Sequence, residues 1–164
     1  MTIEEIAQKM IAYSNGNLHD INHFLKVWSF ARIIGKQEKL DEDTQETLEI
    51  AALVHDIACP LCREKYGNTN GKYQEQEGEP LTREFLKDSS LSEEKQNRIA
   101  WLVGHHHTYT DVDGMDYQIL LEADYLVNAD ESHYSQENIR NVVSKVFKTE
   151  TGKALIESMY VQSV

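Results

Sequence analysis

One stretch of this chain has to lie in the interior of whatever fold it forms. Residues 48–54 read LEIAALV and are apolar at every position except Glu49, and His55 and Asp56 follow directly. A helix that is apolar on nearly every side is normally buried in the core. The end of this helix therefore delivers His55 and Asp56 into the interior, where an imidazole or a carboxylate without a partner is costly to bury.

Other segments show the spacing of helices that could surround this central one. Apolar residues recur at intervals of three and four, and alternating strand patterns never exceed a few residues. The chain has only 8 Gly and 2 Pro. We therefore predict an all-α fold, a single compact bundle of about six to eight helices over residues 1–164, with its core at about 17–130 and C-terminal helices at about 135–160. The individual helices are expected near 3–14, 18–35, 41–54, 79–87, 92–106, 115–128, 136–147 and 151–160, the third being capped by Asp41 or Asp43.

Residues 59–75 are expected to form a long loop. This segment contains Pro60, two glycines and two asparagines, which are typical of turns. Loops of this length in compact domains are often functional.

Size and charge limit the classes of partner. A length of 164 residues suits one domain, and 16 basic against 28 acidic side chains give a formal charge of −12. This charge would repel nucleic acid and anionic membranes, so we expect neither as a partner. No secretory signal pattern and no run of about 20 apolar residues is found, which indicates a cytoplasmic protein. The oligomeric state is left open.

Four side chains are candidates for holding a metal ion: His23, His55, Asp56 and Asp124. Each lies in or at the end of an apolar helical stretch, where a cation would compensate its burial. Imidazole and carboxylate groups suit a divalent ion such as Mn, Fe, Co, Ni, Zn or Mg. Taken alone, His23 could equally be a satisfied core histidine, and Asp124 a helix cap or an ion-pair partner.

The order of these residues resembles the HD-domain superfamily of metal-dependent phosphohydrolases, which has the pattern H…HD…D on an all-helical fold. The segments that carry the resemblance read HDINHFLKV (19–27), ALVHDI (52–57) and LLEADYL (120–126). It covers about residues 17–130 and implies that the metal ligands are His23, His55, Asp56 and Asp124. His19 is the competing choice for the first position.

A third cluster, GHHHTYTDVDG at residues 104–114, contains three consecutive histidines. The resemblance implies more than a polar helix end here, because HD proteins with two metals use histidines at this place. Those members also have a histidine where Gln74 stands in this chain. We therefore expect one divalent ion and no second, with His105 and His106 contacting substrate phosphate or orienting water.

The resemblance implies a hydrolase of the phosphomonoesterase or pyrophosphohydrolase type. Its substrate would be a nucleotide or other small phosphorylated metabolite, attacked by a metal-activated water. Asp56 would bind the metal and accept a proton. Lys65 and Lys72, together with His105 and His106, would hold the phosphate, although solvated surface lysines are the ordinary alternative. Arg63 is a further candidate, and Tyr66 and Tyr73 could stack on a base or sugar.

Two other functions stay open as alternatives. One is a di-iron HD-type oxygenase, which needs six protein ligands and is disfavoured by Gln74. The other is a non-catalytic metal-containing module that binds a ligand or regulates. Cys59 and Cys62 form a C-x-x-C pair without a second pair, which favours an incidental role, with a regulatory disulfide as the alternative.

Overall fold

A computed structural model describes residues 1–160, and within that range it contains nine α-helices and no strand. The all-α prediction is therefore confirmed. None of the helices among these residues is both long enough and apolar enough to span a membrane. The helices are α1 (Ile3–Tyr13), α2 (Leu18–Gln37), α3 (Glu42–Val54), α4 (Cys59–Tyr66), α5 (Gly71–Leu86), α6 (Glu93–Val103), α7 (Met115–Glu131), α8 (Gln136–Lys145) and α9 (Glu150–Tyr160).

Helices α2, α3 and α7 form the centre of the molecule and pack against one another. Every residue of α3 from Thr47 to Val54 is buried, as its sequence predicts, and α7 is buried at nearly every position from Asp116 to Ala129. Apolar side chains of α1, α2, α3, α5, α6, α7, α8 and α9 form one continuous cluster. The metal-ligand candidates lie on the three central helices or directly after them.

Side chains that accept hydrogen bonds from backbone N–H groups fix where several helices begin. Thr2 and Glu5 form a capping box at α1, and Asn17 caps α2. Asp41, rather than Asp43, caps α3, because its Oδ1 accepts a hydrogen bond from Thr44 N at 2.8 Å. Ser92 caps α6 in the same way through Lys95 N. Asp41 is one of the two residues that the sequence indicates as the cap of α3.

The long loop predicted at 59–75 is wrong. Helix α4 occupies residues 59–66 of this segment, and α5 occupies it from residue 71. Helix α4 is the reason that the helices number one more than the upper expected value. Pro60 lies in the first turn of α4, where a backbone N–H has no helical partner and proline is tolerated. Only residues 67–70 connect α4 to α5, and Gly67 ends α4 in the left-handed conformation with φ 74°.

Helix α5 begins at Gly71, eight residues before the predicted start at Glu79. Gly71 and Gly78 are needed for close contact rather than for a turn. A Cβ atom on Gly71 would lie 2.9 Å from Cγ of His107, and one on Gly78 would lie 2.7 Å from Cγ1 of Val103. The glycines therefore let α5 approach the end of α6, which brings Gln74 beside the histidine cluster.

A buried carboxylate ties the C-terminal helices to the central trio. Glu122 of α7 is 0% exposed and accepts hydrogen bonds from Lys148 N at 3.1 Å, from Thr149 N at 3.2 Å and from Thr149 Oγ1 at 2.6 Å. Gln118, one turn earlier, donates to the same carboxylate from its Nε2 at 2.6 Å. The start of α9 is therefore anchored on α7, two positions before Asp124.

Candidate metal centre

His23 approaches the centre of the site from α2. Its side chain is buried on the face of α2 that also carries Phe24 and Val27. The ring Nδ1 lies 2.9 Å from Oε2 of Glu131 at the end of α7. A neutral His23 therefore carries its proton on Nδ1, and the lone pair on Nε2 faces the interior of the site.

His55 reaches the same point from the end of α3. It follows the last helical residue, Val54, and its Nδ1 donates to the carbonyl oxygen of Ala52 at 2.7 Å. Its Nε2 lies 3.1 Å from Nε2 of His23. Two imidazole lone pairs from two different helices thus point at one small volume.

Asp56 and Asp124 complete this volume with carboxylate oxygens. Oδ1 of Asp124 lies 3.1 Å from Nε2 of His23 and 3.3 Å from Nε2 of His55. Oδ2 of Asp56 lies 3.1 Å and 3.4 Å from the same two nitrogens. The donor atoms of His23, His55 and Asp56 all lie within 4.8 Å of one another. The structure therefore brings all four residues of the predicted ligand set together.

These contacts change the titration of the groups involved. Burial opposes the charged imidazolium of His23, but hydrogen bonds to Asp124 and Asp56 outweigh it and raise the pKa of His23 to about 11. Burial would raise the pKa of Asp124, but the charge of His55 and the hydrogen bond from His23 hold that pKa far below its ordinary range. The pKa of Asp56 is lowered in the same way, mainly by the charge of His55 acting against burial. Two carboxylates in this position require positive charge beside them.

A divalent cation fits this donor set. The set offers two imidazole nitrogens and two carboxylates, which is suitable for first-row transition metals or Mg²⁺. Glu131 and the Ala52 carbonyl hold the Nδ1 atoms of the two rings, so both Nε2 lone pairs are directed inward, as in known metal sites. Such an ion would supply the positive charge that protonated imidazoles otherwise supply.

A second group of donors lies next to the first and shares Asp56 with it. Atoms of Asp56, His106 and His107 lie within 4.8 Å of one another. Oδ1 of Asp56 lies 3.3 Å from Nε2 of His106, so the two oxygens of this carboxylate face the two groups. Gln74 places Oε1 3.2 Å from Nε2 of His106 and 2.9 Å from Nε2 of His107.

The structure does not bring His105 to either group. Helix α6 ends at Val103, earlier than predicted, and the following residues form a turn whose side chains point in different directions. The ring of His105 stacks on Trp101 at 3.9 Å between centroids, and its Nδ1 donates to the Trp101 carbonyl oxygen at 2.7 Å. His107, rather than His105, lies beside His106 at the site.

The two predicted phosphate-binding lysines also lie elsewhere. Lys65 pairs with Glu77 at 2.8 Å, and Nζ of Lys72 lies over the ring of Tyr73 at 4.8 Å. Both point away because each lies two positions, about 200° around its helix, from a residue that faces the site, Arg63 on α4 and Gln74 on α5. Arg63 of α4 is the cation that faces the site, held by Asp20 through two contacts of 2.7 Å.

A cavity of about 220 Å³ opens onto the first group. Its lining consists of His19, Asp20, His23, Asp56, Cys59, Arg63, Thr69, Gln74, His107, Asp124, Asn128, Glu131 and Ser132. Cys59 is therefore a lining residue, although burial raises the pKa of its thiol well above the ordinary value and keeps it protonated. Burial also raises the pKa of Cys62, and both cysteines are free thiols.

The sequence interpretation missed several lining residues that a helical stripe could have shown. Asp124, Asn128 and Glu131 are spaced by four and three residues on α7, so they share one face. His19 and His23 show the same spacing on α2. Polar residues that repeat in this way within an otherwise apolar helix are the signal that would have identified Glu131 and Asn128.

Comparison with known proteins agrees with this arrangement. The sequence profile of the HD domain matches residues 20–151. A crystal structure described as a predicted HD superfamily hydrolase from an uncultured Thermotogales bacterium superposes with a TM-score of 0.68 and 25% sequence identity, covering 96% of this chain and 84% of that one. A comparison with curated proteins gives no significant match. The chain belongs to the HD-domain family.

Proposed function

We propose that this protein is a metal-dependent phosphohydrolase that acts on a nucleotide or other small phosphorylated metabolite. The observation that carries the proposal is the convergence of His23, His55, Asp56 and Asp124 beside an open cavity, which all of them except the buried His55 line. These four side chains would hold one divalent ion. When bound, such an ion lowers the pKa of water and neutralises charge on phosphate oxygens.

The protein's own residues would accept the proton from water and bind the phosphate. Asp56 is proposed to accept the proton lost by the attacking water, because its side chain is partly exposed to the cavity. His107 has its pKa lowered to about 4, mainly by burial and then by the charge of His106. A neutral His107 donates its one N–H, on Nε2, to Oε1 of Gln74 and brings no charge to phosphate. Arg63 is therefore proposed as the cationic group that meets the phosphate, in place of Lys65 and Lys72.

Metal analysis followed by a phosphate-release screen tests this function. The purified protein is assayed with Mn²⁺, Co²⁺, Ni²⁺ and Mg²⁺ against nucleotides and sugar phosphates. We expect one ion per chain, and we expect Asp56→Ala and His55→Ala to lose both the ion and turnover. Asp88→Ala, which removes an exposed aspartate, is the matched control and should keep both. A fully active Asp56→Ala protein would contradict the proposal.

The second donor group favours one alternative, a di-iron HD-type oxygenase. Asp56, His106 and His107 add to the first group a set that could bind another ion. The one-metal proposal is preferred because Gln74 contributes a neutral amide where a further charged or imidazole ligand would be needed. Two iron ions per chain, with oxygen consumption and no phosphate release, would establish the alternative instead.

A further inference from the structure

The cavity beside the metal-ligand set is small for a nucleotide. Its volume is about 220 Å³. Pockets that enclose drug-sized ligands usually measure roughly 300–1,000 Å³. A phosphoryl group with a compact alcohol attached would fill it.

The side chains that line the cavity also favour a ligand without a nucleobase. Within residues 1–160, the cavity lining contains no phenylalanine, tyrosine or tryptophan and no aliphatic side chain. Proteins that recognise a nucleobase generally stack it on aromatic or apolar side chains. Tyr66 and Tyr73 are occupied with one another, stacked at 3.9 Å between centroids, and neither lines the cavity.

The cavity lining instead contains neutral side chains that can form hydrogen bonds. Asn128 faces the cavity from α7 and Ser132 from the position directly after it, and Thr69 faces the cavity from the connection between α4 and α5. Amide and hydroxyl groups of this kind can both donate to and accept from the hydroxyls of a polyol.

Arg63 supplies a charged group that is already oriented. Its guanidinium is held at 2.7 Å by each oxygen of Asp20, and both residues line the cavity. Among residues 1–160 it is the one lysine or arginine that does so. A planar guanidinium fixed in this way is suited to paired hydrogen bonds with phosphate oxygens.

We infer that the substrate is a phosphomonoester of a small, hydroxyl-rich alcohol that carries no nucleobase, such as a sugar phosphate. This inference rests on the proposed phosphohydrolase function. Its phosphoryl group lies between Arg63 and the metal-ligand set, and its hydroxyls meet Asn128, Ser132 and Thr69. In the reaction the oxygen of water bonds to phosphorus, the ester P–O bond breaks, and the proton from water ends on the departing alcohol.

Two substrates with the same reacting bond test the inference. Ribose 5-phosphate and adenosine 5′-monophosphate share a primary phosphoester and differ by the adenine at C1. We expect kcat/KM to be higher for ribose 5-phosphate by about tenfold or more, because adenine finds no phenylalanine, tyrosine, tryptophan or aliphatic side chain in the cavity lining. Equal or faster hydrolysis of adenosine 5′-monophosphate would overturn the inference and leave the phosphohydrolase function intact.

If neither compound is hydrolysed, a binding measurement distinguishes the inferred ligand class from the proposed hydrolase function. Each is then titrated into the Mn²⁺-loaded protein by calorimetry. Tighter binding of ribose 5-phosphate would support the substrate class and reject the hydrolase function. Tighter binding of adenosine 5′-monophosphate, or no binding of either, would overturn the inference.

Variants test which side chains bind the hydroxyl groups of the substrate's alcohol. Asn128→Ala should lower kcat/KM for ribose 5-phosphate about tenfold more than it lowers kcat/KM for ethyl phosphate, whose alcohol carries no further hydroxyl. Asn141→Ala, at an exposed position on α8, is the control. Arg63→Ala should lower both activities by about 10- to 100-fold, whereas Lys65→Ala should lower neither. An Asn128→Ala variant that loses both activities equally would contradict the assignment of hydroxyl recognition.

Discussion

The ends of α3 and α6 are built alike, yet they lead to different sites. His55 follows α3 and His106 follows α6, and both side chains are fully buried. Each ring donates from Nδ1 to the carbonyl oxygen three residues earlier, at 2.7 Å in both cases. Each therefore presents Nε2 to the interior by the same local arrangement.

The difference lies in what other helices bring to meet that nitrogen. His55 meets His23 from α2 and Asp124 from α7, and it shares Asp56 with the second group. His106 meets Oδ1 of Asp56 and the amide oxygen of Gln74 from α5. An amide carries no charge and is a weak ligand for a transition metal. The comparison shows that a well-oriented histidine becomes a cation site only when distant segments add charged or imidazole donors.

The largest expected effect comes from removing the charge of Asp124, which faces His55 at the end of α3. Asp124→Asn keeps the shape of the side chain but removes an anionic oxygen that faces both His23 and His55. We expect the parent protein to gain about 4 kcal/mol from metal at 1,000 times Kd, which is roughly 8–16 °C in Tm, and the variant to gain nothing. Thermal melts with and without Mn²⁺ measure this. Asp88→Asn is the control, and a variant melt that still shifts with Mn²⁺ would refute the role of Asp124.

The next effect concerns Gln74, and its replacement by histidine should give the end of α6 the ability to bind a metal ion that the end of α3 has. Gln74→His places an imidazole where the amide now faces His106 and His107, and Gln74 is buried enough to hold it in place. We expect the number of tightly bound ions to rise from one per chain to two, as measured by elemental analysis after dialysis. Gln74→Asn keeps an amide and should stay at one. Two ions in the unaltered protein would show that the ends are already equivalent.

A smaller effect is expected from the residue that orients His23. Glu131→Gln replaces the carboxylate that holds Nδ1 of His23 at 2.9 Å, without touching a donor of the first group. Loss of such an outer partner typically weakens metal binding by about 10- to 100-fold. Competition with a chromophoric chelator gives the affinity directly. An affinity within error of the parent would mean that the packing of α2 alone fixes the ring.

The smallest effects separate the neighbouring histidines after α6. His107→Ala should lower kcat/KM by roughly 5- to 10-fold, the worth of one neutral hydrogen bond. His105→Ala should leave kcat/KM unchanged and lower stability by about 1 kcal/mol, because it removes a ring stacked on Trp101. Steady-state kinetics and denaturant unfolding measure the two effects. A larger kinetic loss in His105→Ala than in His107→Ala would reverse the assignment.

The central helices could be predicted from sequence because their patterns are long and strongly apolar. The run before His55 and the segment around Asp124 each predict a buried helix, and each was found. Helix α4 was missed because Pro60 and the following asparagines are also common in loops, and the start of α5 was missed because Gly71 resembles a turn residue. The reason for that glycine is contact with His107, a residue distant in sequence. Contacts of this kind have no local signature.

Some of the site residues could likewise be predicted from sequence, and others could not. Asp56 and Asp124 could be proposed because they stand in apolar surroundings, where a charge needs a partner. The choice between His105 and His107 depends on where α6 ends, and helix ends are less certain than helix interiors. The roles of Lys65 and Arg63 depend on which face of α4 meets α2, which a segment interpreted as a loop cannot indicate.

Glu122 and Asp124 leave α7 on nearly opposite sides, since two positions turn the helix by about 200°. One carboxylate belongs to the ligand set, and the other accepts the backbone N–H groups that precede α9. A chain shortened before residue 148 would leave Glu122 buried without those donors, on the helix that positions Asp124. For anyone designing truncations or fusions of this protein, the last two helices are part of the smallest unit that should be kept whole, although none of the residues of α8 or α9 lines the cavity within residues 1–160.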